Sequence, residues 1–129
     1  MKEPFFLSLD EIIEIHTDQI ERYGGISGIR DIELLKSAVI MAAAGFGEEY
    51  FHNDVYQMAA AYLFHIVLNH PFIDGNKRTG AVSAIVFLVM NGVELTTDEE
   101  SLEKIVIFAA EGKSDKAAIA RFFRNNSHS

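Results

Sequence analysis

From Ala81 to Met90 the chain is apolar at nine of ten positions, Ser83 being the exception. A helix that is apolar on every side has no face to offer water and has to be enclosed. Ten residues fall well short of the ~20 that cross a bilayer, so the enclosure must come from the rest of the chain. With 129 residues, the length suits one domain, 1–129, that buries roughly two-thirds of its unfolded surface. It must do so without covalent staples, because there is no cysteine. That also removes thiolate metal sites and cysteine nucleophiles from consideration.

Apolar periodicity and helix punctuation predict six helices. Ser8 and Glu11 have capping-box spacing ahead of a helix from Leu9 to Tyr23, which Gly24-Gly25 stops. Asp31 caps a second helix to about Ala44, and a loop from Gly45 to Asn53 follows. Val55, Met58, Ala59, Tyr62, Leu63 and Ile66 mark a third helix from about Asp54 to Asn69. Helix should lapse from His70 to Gly75, since Pro71 disfavours a helical residue before it and Asp74-Gly75 signals a turn. The apolar fourth helix then runs from Asn76 to Asn91-Gly92 and is expected at the centre of the bundle. Val93 to Thr96 reads as a short extended piece. Thr97 with Glu100 caps a fifth helix, Ser114 caps a sixth ending near Arg124, and the polar tail 125–129 is expected to be disordered. The class is all-α.

Eleven Lys+Arg against 19 Asp+Glu give a net charge of −8. An acidic surface argues against direct nucleic acid binding and against an anionic membrane as partner. Only three apolar residues follow Met1-Lys2-Glu3-Pro4, too few for a signal-peptide core, so a cytoplasmic protein is expected.

One segment concentrates chemistry: His70-Pro71-Phe72-Ile73-Asp74-Gly75-Asn76-Lys77-Arg78. It ends in the first turn of a helix, where unpaired N–H groups and the dipole favour an anion. Gly75 removes a side chain there, so a phosphate oxygen can approach the backbone amides of Gly75 and Asn76. Lys77 adds a mobile charge and Arg78 a planar fork suited to phosphate. Asp74 supplies a hard oxygen for Mg²⁺ beside those phosphates. His70 can take a proton from a hydroxyl near neutral pH. Singly, each has a plainer reading: a capping histidine, an Asp-Gly turn, a solvated Lys-Arg pair. Their combination at one helix start favours nucleotide chemistry. The acids Glu94, Asp98, Glu99, Glu100 and Glu103 read as a solvated face with helix N-terminal charge, and Ser83 as a packing residue bonded to its own backbone.

The segment resembles the signature of the Fic/Doc superfamily, H-x-F-x-[D/E]-G-N-x-R, and in its N-K-R continuation that of the Doc (death-on-curing) toxins. The resemblance extends to Arg22-Tyr23-Gly24-Gly25 with Gly28, to Phe87-Leu88 with Asn91-Gly92-Val93, and to Gly112-Lys113-Ser114. It implies a compact helical bundle of about six helices around a buried central helix. AMP-transferring relatives carry Gly after the motif Asn and a second Arg three positions beyond the first; Lys77 and Ala81 stand there instead. Val82 replaces a polar residue found in some Doc relatives.

The Doc resemblance therefore implies a protein kinase that moves the terminal phosphoryl of ATP, with Mg²⁺, to a Ser or Thr hydroxyl. His70, Asp74, Lys77 and Arg78 would be catalytic; Gly75, Asn76, Lys77 and Arg78 would hold phosphate. The implied target is a translation factor such as elongation factor Tu, and the implied result is growth arrest. The implied partner is a small antitoxin lying in a groove by the active site, consistent with the absence of an [S/T]-x-x-x-E-[G/N] inhibitory motif. AMP transfer to a protein hydroxyl and a non-catalytic binding role remain the alternatives. Phe46, Tyr50 and Phe51 of the 45–53 loop are candidates for docking substrate or for anchoring the loop.

Overall fold

A computed structural model of the chain describes residues 3–46, 49–50, 52 and 54–128, excepting the side chains of residues 45, 46, 49 and 50. Six helices carry the fold: α1 (Leu9–Tyr23), α2 (Ile32–Ala43), α3 (Val55–Asn69), α4 (Asn76–Met90), α5 (Glu99–Ala110) and α6 (Lys116–Asn125). The all-α reading holds. Two-residue strands pair into two small antiparallel ladders, β1 (Gly45–Phe46) with β2 (Glu49–Tyr50), and β3 (Glu94–Leu95) with β4 (Ser127–His128).

Local chemistry accounts for the ends. Ser8 and Glu11 form the expected reciprocal capping box, and Gly24 closes α1 at φ +83°. The caps of α5 and α6 lie one residue beyond those expected. Asp98, not Thr97, accepts the Ser101 N–H, and Asp115, not Ser114, accepts the Ala118 N–H. A carboxylate next to a hydroxyl wins this competition because it also carries charge toward the positive helix end.

The most enclosed helix is α3, not α4. Met58 through Leu63 are all buried in succession, followed by Ile66 and Val67, and α3 packs against α2, α4, α5 and α6. α4 buries Thr79, Gly80, Ser83, Ala84, Phe87 and Leu88 but exposes Val89 and Met90. Uniform apolarity thus concealed a free edge. Gly80 permits the α3–α4 contact: a Cβ there would lie 2.5 Å from Val67 Cγ2 and 3.3 Å from the Leu63 carbonyl. The hydroxyl of Ser83 is buried with no partner, contrary to the expected bond to its own helix.

The tail also departs from expectation. Ser127–His128 pairs with Glu94–Leu95, and Thr96 N–H donates to Asn126 O at 2.7 Å. The extended piece predicted at 93–96 supplies the partner strand. The 45–53 loop contains the β1–β2 hairpin; the contacts of Phe46 and Tyr50, and Phe51 itself, lie outside what is described.

Where α6 meets α3, the Lys116 ammonium donates to His65 Nε2 at 3.3 Å, an acceptor role that requires neutral imidazole. Burial, then Lys116 and His52, push His65 down to about 4; burial and Lys116 lower His52. An unfolded histidine titrates near 6.5. Between those values the unfolded chain binds more protons, so stability from neutral His65 is complete above about pH 6.5 and declines toward pH 4. His65→Gln should give a shallower loss of stability between about pH 7.5 and 5 in urea unfolding.

Candidate active site

The α3–α4 connection is a tight loop fastened from three directions. Inside it, the Asn76 side chain accepts the Phe72 N–H at 3.0 Å and donates to the Phe72 carbonyl at 3.0 Å. From α1, buried His16 stacks on the Phe72 ring, centroids 3.8 Å apart and planes 4° from parallel. Its Nε2 lies 2.8 Å from the Asp74 carbonyl, which can only accept, so Nε2 carries the proton. From the α1–α2 connection, Ile29 bridges Phe72, Arg30 and Asp31 N–H groups donate to the Pro71 carbonyl, and Ile73 N–H donates to the Gly28 carbonyl.

This framework sets the positions of the expected site residues. His70 closes α3 in the left-handed region at φ 51°, the sole non-glycine residue with positive φ among those described. Its exposed imidazole has no hydrogen-bond partner among the described residues. Asp74 Oδ1 accepts the Gly75 N–H at 2.8 Å and Oδ2 accepts the Ile26 N–H at 3.1 Å. The Ile26 bond first, the Gly75 bond and the Arg78 charge hold this carboxyl below its usual range, so it is ionised at neutral pH. The Gly75 amide is consequently engaged by Asp74, whereas the sequence led us to expect it free for phosphate.

Gly75 itself sits at φ +75°, and a Cβ there would come 3.1 Å from Ile20 Cδ1. The N–H groups of Asn76, Lys77 and Arg78 precede the first backbone bond of α4, Thr79 N–H to Gly75 O. The Asn76 contribution to an anion site is its backbone, because its side chain is spent on the loop. Lys77 is exposed with no partner for its ammonium among the described residues. Arg78 reaches back to α1, donating to Gly24 O at 2.8 Å, with Gln19 O at 3.5 Å and the Tyr23 ring centroid 5.7 Å away. The Gly24-Gly25 turn is fitted to this pair: a Cβ on Gly25 would stand 2.8 Å from Asp74 Oδ2 and 3.3 Å from an Arg78 nitrogen.

All six expected residues, His70, Asp74, Gly75, Asn76, Lys77 and Arg78, line one open cavity of about 760 Å³. Its far bank comes from α5, with apolar Leu102, Val106 and Ile107 and two acids, Glu99 and Glu103. Those acids are exposed, as expected, but they face a cavity. Ala81 lines it too, whereas Val82 lies in a separate groove with Leu7, Ile15 and Val86 and touches no part of the motif's cavity. The sequence reading missed His16 and Arg30. A polar residue on the buried stripe of α1 was a signal for the first. Nothing local marked the second.

Because Asn76 supplies two bonds inside the loop, Asn76→Ala should lower stability by about 2–3 kcal/mol. Chemical denaturation should show that loss with the helical circular dichroism of the folded state retained.

A sequence profile of the Fic/DOC family matches residues 6–88. The protein kinase Doc of Escherichia phage P1 is 32% identical over 118 residues, covering 92% of each chain. The toxin Doc of Mycolicibacterium smegmatis is 38% identical over 76 residues, covering 59% of this chain and 58% of the relative. The profile match takes in the whole His70–Arg78 loop and the α1 residues that brace it, and the chain belongs to the Fic/Doc family.

Proposed function

We propose that the chain is a Doc-type toxin with protein kinase activity, transferring the terminal phosphoryl group of ATP to a Ser or Thr hydroxyl of a translation factor. Fic/Doc proteins are nucleotide-using enzymes, and the relative from phage P1 is named a protein kinase. One observation carries the reading: the motif alternates fastened and free residues around a single cavity. Asn76, Asp74 and Arg78 are tied into the scaffold, while His70 and Lys77 stand exposed and unengaged at the cavity. Unengaged side chains on a rigid loop are available to a substrate without first breaking an internal bond.

In this reading the Asn76, Lys77 and Arg78 amides and the Lys77 ammonium receive the phosphates. The apolar stretch of α5, Leu102, Val106 and Ile107, offers a surface for the base. A cavity of about 760 Å³ is in the size range of small-molecule sites. Each Asp74 oxygen accepts one backbone N–H and keeps lone-pair capacity, so one ionised carboxylate beside phosphates fits the usual donor set for Mg²⁺. When bound, that ion would neutralise phosphate charge. His70 accepts the acceptor hydroxyl's proton as its oxygen bonds to the terminal phosphorus, the bridging bond breaks and ADP leaves. Positioning and electrostatics carry most of such a reaction.

AMP transfer is the less favoured reading, because Lys77 stands where those relatives have glycine and Ala81 lines the cavity where they have arginine. A small antitoxin lying by the cavity is the proposed restraint, in keeping with the relative from Mycolicibacterium smegmatis that is named a toxin. A cytoplasmic setting suits a translation factor as target, and no described helix is long and apolar enough to cross a membrane.

With γ-labelled ATP and elongation factor Tu, His70→Ala should lower label transfer by roughly 10²–10⁴-fold while leaving the thermal melt unchanged. Undiminished transfer would remove His70 from the mechanism. Lys77→Gly should weaken γ-label transfer and admit α-label transfer. Parallel reactions with the two labels separate phosphoryl from AMP chemistry.

A further inference from the structure

The geometry points to Arg30 as the positioning residue for His70, an inference that rests on reading His70 as the proton acceptor. Arg30 is forty positions away in sequence and does not line the cavity, yet its guanidinium engages the carbonyls that end α3. Nε donates to His70 O at 2.6 Å and Nη2 to Asn69 O at 2.7 Å. These two donors form one edge of the planar fork, so two successive carbonyls are held as a bidentate pair. Carbonyls at a helix C-terminus lack intrahelical partners and lie at the negative end of the dipole, which favours a cation there.

The consequence falls on the His70 backbone. A non-glycine residue at φ 51°, ψ 58° carries a conformational penalty. Something has to oppose its relaxation. Pro71 restricts the next residue, and the Arg30 fork holds the His70 carbonyl, which fixes ψ. The direction of the Cα–Cβ bond, and with it the arc open to the imidazole, is then set from outside the cavity.

Arg30 is itself held firmly. Its own N–H donates to Pro71 O at 2.7 Å, and Asp31, next in the chain, caps α2 through Glu33 and Leu34. The strap from Gly28 to Asp31 thereby transmits the position of α2 to the end of α3. A lysine could supply the charge but not the planar two-point grip.

The test uses the full chain with γ-labelled ATP and elongation factor Tu, alongside NMR of the His70 ring. Arg30→Ala should lower kcat roughly 10- to 100-fold with the KM for ATP changed by less than about 2-fold. Millimolar methylguanidinium should restore part of kcat, and Arg30→Lys should restore little. The His70 ring signals should shift while core methyl signals stay in place. Lys36→Ala, which removes an exposed cation from α2, should alter none of these. An unchanged kcat with unchanged His70 signals would overturn the proposal; so would a raised KM at constant kcat, which would mark a nucleotide contact. If the unaltered chain transfers no label, the kinase reading fails separately and the His70 signals alone decide. If Arg30→Ala does not fold, Arg30→Lys carries the same comparison, and wild-type kcat and ring signals there would overturn the proposal.

Discussion

The bond pair between the Asn76 amide and the backbone of Phe72 is the interaction on which the site depends. It closes the short loop between α3 and α4 and fixes the start of α4 against the end of α3. Both Asn76 and Phe72 are buried, so the two bonds are sheltered from competing water. With Phe72 held from below, its ring becomes a platform for His16, and His16 in turn secures the Asp74 carbonyl. The order of assembly is spatial rather than sequential: a side chain in the first turn of α4 determines where residues four to six positions earlier can lie.

A site of this kind separates rigidity from reactivity by residue rather than by region. Within nine consecutive positions, side chains that hold the loop alternate with side chains that face open space. Arg78 and Asp74 occupy both roles, each bonded to the α1 end while retaining spare donors or lone pairs toward the cavity. Glycine at 25 makes that overlap possible, since a methyl group there would push against Asp74 Oδ2 and an Arg78 nitrogen. Positive charge is concentrated at the α4 start although the chain as a whole carries −8. The overall charge describes the outer surface and leaves this turn as a local exception.

Much of this was legible in the residues. Capping patterns and glycines placed α1 and α3 within a residue of their observed ends, because those signals act locally. The motif from His70 to Arg78 was legible for the same reason: its elements are contiguous. What escaped was non-local. Which of two helices is central depends on what each packs against, and the nearly unbroken apolar run at 81–90 drew attention to α4 although α3 is the more apolar over its whole length. The pairing of Ser127–His128 with Glu94–Leu95 joins segments more than thirty residues apart, so a polar tail looked unattached. His16 and Arg30 gain their meaning only from carbonyls distant in sequence. The shift of two caps from Thr97 and Ser114 to the neighbouring aspartates is a smaller lesson: adjacent candidates compete, and the charged one prevails.

The left-handed backbone at His70 has an evolutionary corollary. Glycine and asparagine adopt that conformation more readily than histidine. Substitution by either would therefore relieve backbone strain while, in the proposed mechanism, ending proton acceptance, and the fold would register it as an improvement. If His70 has the proposed role, selection for activity and selection for stability pull in opposite directions at this one residue. A lineage released from the need for catalysis would drift downhill in folding free energy toward a well-folded, silent copy.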